Sequence, residues 1–205
     1  VKKQVEEPKI QRPPRKGEAS LIRFADDFVC GFERQQEAEA FYKVLPARLG
    51  KFGLQLSMDK TQVIRFDRSS GKESFDFLGF EFQWGKDRSG KPHLKRHTSR
   101  KKLKGSLKLF TAWCKEVLNW KLGDLCRLLC AKLRGYYNYY GVASNGSGLN
   151  EFYGRAIRIL HKWLNRRSQR ASFTWETFTD LLRRYQIPRP KIVVRSKARQ
   201  ATLSL

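Results

Sequence analysis

Leu21-Ile22-Arg23-Phe24-Ala25-Asp26-Asp27-Phe28-Val29-Cys30-Gly31 is the stretch on which the reading of this chain turns. Two adjacent carboxylates, Asp26 and Asp27, separate apolar runs at 21–24 and 28–30. Short apolar runs broken by an acidic pair predict two strands joined by a tight turn. The carboxylates are then lifted out of the sheet. Exposed oxygens at a strand tip suit a divalent ion such as Mg²⁺, which prefers hard oxygen ligands. The same pair is also what an ordinary hairpin turn uses, since Asp favours turns. The residues alone leave both readings open.

Outward from the hairpin, residues 33–51 predict a helix. Phe41, Leu45 and Leu49 recur every fourth residue and share one face, Pro46 threatens a kink, and Gly50 or Gly53 ends it. Residues 62–66 predict a strand and 75–84 one or two more, with Phe80, Phe82 and Trp84 on one face. Residues 67–74 and 85–93 read as turns. Past residue 99 the period becomes helical. Leu103, Leu107, Phe110, Cys114 and Val117 mark one helix, and Leu122, Leu125, Leu129, Leu133, Tyr136 and Tyr140 a second. After a loop at 141–148, Leu149, Phe152, Ala156, Ile159 and Trp163 mark a third, and Phe178, Leu181 and Tyr185 a short fourth, stopped at Ile187-Pro188. A short strand is expected at 192–194.

Charge follows the same division. The chain of 205 residues carries a formal net charge of +24, from 43 Lys and Arg against 19 Asp and Glu. Residues 99–205 hold 23 of the bases and only five of the acids. Such an excess implies a polyanionic partner, with nucleic acid ahead of an anionic membrane surface. No run of about twenty apolar residues predicts a spanning helix, and the opening residues do not read as a signal peptide. Cys30, Cys114, Cys126 and Cys130 lack zinc-like spacing and read as small apolar residues in a reducing compartment. His93, His97 and His161 do not converge.

Arg155, Arg158, Lys162 and Arg166 recur at spacings of three, four and four beside the apolar face of the third helix, with Arg167 and Arg170 extending the charge. Such a row can track a phosphate backbone. Arg100, Lys101, Lys102 and Lys104 form a second patch at the start of the first helix, for which Ser99 is a natural cap. Cations there oppose the helix dipole, which a nearby anion would offset. Aromatics at 136–140 can stack on unpaired bases. The helical period puts Tyr136 and Tyr140 with Leu133 in the core. Arg134, Tyr137 and Asn138 are expected nearer to RNA, while Trp113, Trp120, Trp163 and Trp175 are expected to pack between helices.

Four motifs, in order, resemble those of reverse transcriptases. Phe24-Ala25-Asp26-Asp27 resembles the catalytic signature, with Phe24 where Tyr is commoner. Gly53-Leu54-Gln55-Leu56-Ser57 with Lys60-Thr61 resembles the helix-to-strand motif that follows, and Phe77-Leu78-Gly79-Phe80 the motif near the primer end. Leu133-Arg134-Gly135-Tyr136-Tyr137-Asn138-Tyr139-Tyr140-Gly141 resembles the maturase domain of group II intron reverse transcriptases. The resemblance covers roughly residues 20–190.

The resemblance implies an α+β partial reverse-transcriptase palm followed by an all-α thumb/maturase helical bundle. Residues 1–19 would be a basic Pro-containing tail, 20–98 the partial palm, 99–190 the thumb and maturase-specific domain, and 191–205 a basic C-terminal tail. Asp26 and Asp27 would be the catalytic and Mg²⁺-binding pair, with Phe24, Ala25, Lys60, Phe77, Leu78 and Gly79 near nucleotide and primer. Lys60 reads equally as a solvated charge, and Phe77–Phe80 as a core strand with a bulge. Implied partners are group II intron RNA, a DNA primer/template, and an N-terminal reverse-transcriptase fragment, with no membrane. The expected location is cytoplasmic or organellar.

Two-ion phosphoryl chemistry needs carboxylates from more than one element. The family takes a third from an upstream strand. Here only Glu6, Glu7 and Glu18 precede Asp26, and none sits in a matching motif. The fingers and the nucleotide-selecting motif also lack counterparts. The expectation is therefore a C-terminal piece of the family's chain that binds intron RNA in support of splicing, without polymerase activity alone. The alternative is half of an RNA-directed DNA polymerase completed by the missing palm and fingers. A third reading is an inert remnant of a mobile element.

Overall fold

The computed structural model describes residues 17–68, 71, 73–167 and 173–193. The chain forms two compact units, residues 1–65 and 66–205. This division lies upstream of the shift in composition near residues 85–100.

In the first unit, β1 (Ala19–Phe24) and β2 (Asp27–Phe32) form an antiparallel hairpin, followed by α1 (Gln35–Gly50). Phe24 faces Asp27 in the register, so Ala25 and Asp26 make a two-residue turn. Ala25 has φ 51° while Asp26 keeps a negative φ. A positive φ at the first central position alone is the pattern of a II′ turn, which usually takes Gly there. Arg23 Nε donates to the Ala25 carbonyl at 2.9 Å and braces it. α1 lies over β2 through Phe32 and Phe41, whose rings are 5.3 Å apart. It runs on through Pro46 and ends at Gly50. Gly53 at φ 69° then turns the chain, and the Leu54 amide donates back to the Leu49 carbonyl.

The strand expected at 62–66 is not formed. After a short 3-10 turn at Met58–Lys60 the chain runs to residue 67 without joining a sheet. A β-branched run becomes a strand only beside a partner that accepts its backbone bonds. The two sheets among the described residues are otherwise composed.

In the second unit, β3 (Ser74–Phe77), β4 (Phe80–Lys86) and β5 (Pro92–Thr98) make an antiparallel meander. The turn expected at 85–93 is shorter than that, because β4 runs on to Lys86 and β5 begins at Pro92. Its text, Pro-His-Leu-Lys-Arg-His-Thr, carries one large apolar residue, and only pairing along β4 makes it a strand. Phe66, Phe75, Phe82 and Trp84 cluster by ring contact, with Phe75 and Phe82 stacked at 5.2 Å.

Four helices follow: α2 (Arg100–Glu116), α3 (Leu122–Tyr140), α4 (Gly146–Leu164) and α5 (Trp175–Arg184). Ser99 caps α2, accepting from the Lys102 amide at 3.4 Å, and Thr174 caps α5. α4 begins at Gly146, inside the expected loop. Its buried face includes Ile157, Leu160 and Leu164, and Ile159 and Trp163 are only partly covered. One continuous core joins these helices, from Leu103 on α2 to Ile187 beyond α5. Cys114 and Cys126 are buried in it, and burial pushes their thiols up to about 12 and about 11. Residues 192 and 193 are not in a strand, and Val194 lies outside the described residues. The fold is thus a mixed β/α N-terminal region followed by an α-helical bundle.

Candidate nucleic-acid interface

Asn145, which lies in the loop expected at 141–148, is the pin of the second unit. It is wholly buried. Its Oδ1 accepts from the Thr98 amide, and its Nδ2 donates to Thr98 Oγ1 and to the Tyr140 carbonyl, each at 2.8 Å. One side chain thereby fixes the end of β5, the end of α3 and the start of α4. A buried amide must satisfy its polar atoms internally, so three ends are forced to meet.

On this frame α4 presents its cations outward. Arg155, Arg158 and Lys162 are exposed along the helix, and Arg166 is exposed in the turn after it. Arg155 pairs with Glu151 at 3.0 Å. Arg166 and Lys115 of α2 both lie over the Trp163 ring, at 4.9 and 5.4 Å from its centroid. The α4 row and α2 therefore meet at one aromatic. Arg167 is drawn aside, donating to the Trp120 carbonyl at 2.6 Å. Arg170 lies outside the described residues. Arg100, Lys101, Lys102 and Lys104 are all exposed in the first turn of α2, which contains no acid.

The tyrosine cluster divides differently from its expected split. Tyr137, expected nearer the RNA, is 1% exposed, and its hydroxyl donates to the Pro188 carbonyl at 3.1 Å. The chain returning after α5 covers that side of α3. Tyr140 is buried as expected, and Tyr136 is partly buried and stacked on Phe152. The residues left on the outer side are Arg134, Asn138 and Tyr139. Burial raises the phenols of Tyr136, Tyr137 and Tyr140 above their ordinary value.

Leu78 and Gly79, both at positive φ, form the β3–β4 turn. Gly79 does allow a close approach, but the neighbour is internal. A Cβ there would meet the Tyr140 hydroxyl at 3.0 Å and Lys102 Cγ at 3.4 Å. Tyr139 donates to the Leu78 carbonyl at 2.8 Å, and the Ser99 amide donates to the Gly79 carbonyl at 3.0 Å. The Phe77–Gly79 segment is thus locked onto α2 and α3.

Of the tryptophans, Trp113 is buried and Trp163 partly so. Trp175 is half-exposed, stacked on His161 at 4.3 Å. Trp120, 47% exposed in the turn after α2, departs from the expectation of packing because no ring or cation lies against it among the described residues.

In the first unit, Phe24, Ala25, Asp26 and Asp27 all lie exposed at the hairpin tip, and Lys60 is exposed in the 3-10 turn. The two carboxylates are hard oxygen donors of the kind Mg²⁺ takes. Among the described residues, however, no group of three His, Cys, Asp or Glu side chains stands together to hold a metal ion.

Residues 3–82 match the reverse transcriptase (RNA-dependent DNA polymerase) family. An RNA-directed DNA polymerase family domain is therefore present in part of the chain. The match takes in the acidic hairpin, α1 and β3, and stops within β4, before α2. No curated protein matches the chain. Among the described residues no helix is long and apolar enough to cross a membrane.

Proposed function

We propose that this chain is the C-terminal part of a group II intron reverse transcriptase/maturase, and that its helical unit binds intron RNA in support of splicing. Splicing chemistry belongs to the RNA. The protein steadies the folded ribozyme through backbone and loop contacts, the usual mode for structured RNA. One observation carries this reading: Arg155, Arg158 and Lys162 stand exposed off the core face of a well-packed helix, and Arg166 stands exposed in the turn after it. Replacing the four with Gln should weaken binding to structured intron RNA and flatten the dependence of log K on log salt, because fewer counterions are released. Circular dichroism controls for folding. Equal slopes and affinities in two folded proteins would reduce the row to a solvated face.

A second reading is supported by the first unit. Leu45 is its one buried apolar residue among those described, while Leu21, Ile22, Phe24, Val44, Phe52, Leu54, Met58 and Val63 are exposed. Exposed apolar surface of this kind marks an interaction site. We infer that an upstream palm and fingers segment covers it and completes a polymerase site in which Asp26 and Asp27 help hold Mg²⁺. Primer extension with Mg²⁺ and deoxynucleotides should be absent with this chain alone and restored by such a segment. Loss of that restored activity in an Asp26→Ala, Asp27→Ala variant would tie it to the hairpin.

A further inference from the structure

Four of the five tryptophan rings have a ring or cation partner. Trp84 lies under Arg68, Trp113 against Phe110 and Lys132, Trp163 under Lys115 and Arg166, and Trp175 against His161. Trp120 has neither a ring nor a cation over it among the described residues. It sits at the α2–α3 turn beside a shallow hollow of about 490 Å³ lined by Asp124, Arg127, Leu128 and Ala131. The surroundings are cationic. Lys121 and Arg127 are exposed, and Arg167 is anchored on the Trp120 carbonyl itself. Asp124 is the one acid there, held loosely to Arg127 at 3.6 Å with both side chains in solvent.

From this we propose that the α2–α3 turn seats one unpaired nucleobase of a single-stranded RNA segment, stacked on the Trp120 indole, with the flanking phosphates beside Lys121 and Arg127. The inference rests on the RNA-binding reading above and adds to it a site and a strand preference. A ligand for this place must offer a flat face to the indole and negative charge to its rim. A nucleotide offers both. Bases stack on exposed aromatics without regard to sequence, because every base has a π-face. A duplex does not qualify, since its base faces are already stacked on one another. An apolar peptide would fill the hollow but leave the cationic rim unanswered.

The full chain is titrated with a labelled short oligoadenylate and with a blunt RNA duplex of the same length, for wild type, Trp120→Ala and Trp120→Phe. Trp120→Ala should weaken oligoadenylate binding about tenfold, the scale of one lost stacking contact. Trp120→Phe should retain most of the affinity, and duplex binding should be unchanged in both. Should Trp120→Ala fail to fold, Trp120→Leu keeps apolar bulk without a π-face and carries the same expectation. Oligoadenylate affinity that ignores the substitution, or a loss shared equally by the duplex, overturns the seat while leaving RNA binding standing. A wild-type chain that binds neither probe overturns both.

Discussion

The hairpin–helix unit and the sheet–bundle unit are built from similar local signals and reach different ends. In residues 17–65 one residue, Leu45, is buried, at 8% exposure. In the second unit an unbroken core runs from α2 to beyond α5, and Leu129 and Phe178 are fully enclosed. Both units have antiparallel strands and apolar residues at helical spacing, Phe41, Leu45 and Leu49 on α1 as Leu103, Leu107 and Phe110 on α2. The difference is that a two-stranded hairpin with one helix offers each apolar face a single neighbour, whereas α2, α3, α4 and α5 cover one another. Local pattern makes an element, but burial needs a second surface.

The sharpest way to break this comparison is to separate the units. Residues 66–205 expressed alone should melt cooperatively, while residues 1–65 alone should show no cooperative transition by circular dichroism. A sharp melt of the shorter piece would refute the contrast.

Next in size is alkaline unfolding. Tyr136, Tyr137, Tyr140 and Tyr153 all lie in the second unit, and burial raises each phenol above the ordinary value. The unfolded phenols ionise near pH 10. Below that pH these phenols are neutral in both states, and it is the buried thiols of Cys114 and Cys126, raised to about 12 and about 11, that make stability fall with rising pH. Above it the unfolded chain loses protons that the folded one keeps, so stability falls as pH rises toward the folded values. The tyrosinate absorbance of these four should therefore appear late and together with loss of helix.

Smaller again is a matched pair of truncations. Leu129→Ala, at a fully buried site, should cost about 2–5 kcal/mol in denaturant melts. Leu45→Ala should leave the main transition in place, because Leu45 belongs to the other unit and its site already borders solvent. The smallest effect is expected at the hairpin tip. Ala25→Gly should slow amide exchange across β1 and β2 by relieving a positive φ worth about 1 kcal/mol. Faster exchange would show that the Ala25 methyl helps the turn.

Much of this was legible in the text of the chain. Leu103, Leu107, Phe110 and Cys114 at helical spacing announced α2, and Ser99 before them announced its cap. The two apolar runs on either side of Asp26 and Asp27 announced a hairpin with its acids at the tip, although Asp27 proved to open β2 and not to lie in the turn itself. The exposed row on α4 follows from the same periodicity, because charges spaced with the helix and off its apolar face have nowhere to go but outward.

What the sequence determined by itself, then, is whatever depends on neighbours within a turn or two: helix period, caps, the acidic tip and the outward cations. What tertiary structure decided depends on partners far along the chain. Asn145 reaches back 47 residues to Thr98, Tyr137 reaches 51 forward to Pro188, and Tyr139 reaches 61 back to Leu78. Those contacts turned a loop asparagine into the pin of the fold and moved Tyr137 from the expected RNA face to the core. Packing also decided that Trp120, 47% exposed, has no ring or cation partner among the described residues, where the other indoles found one. Local spacing sets which way a side chain points, but only the packed surface opposite it decides whether that direction leads to water or to the interior.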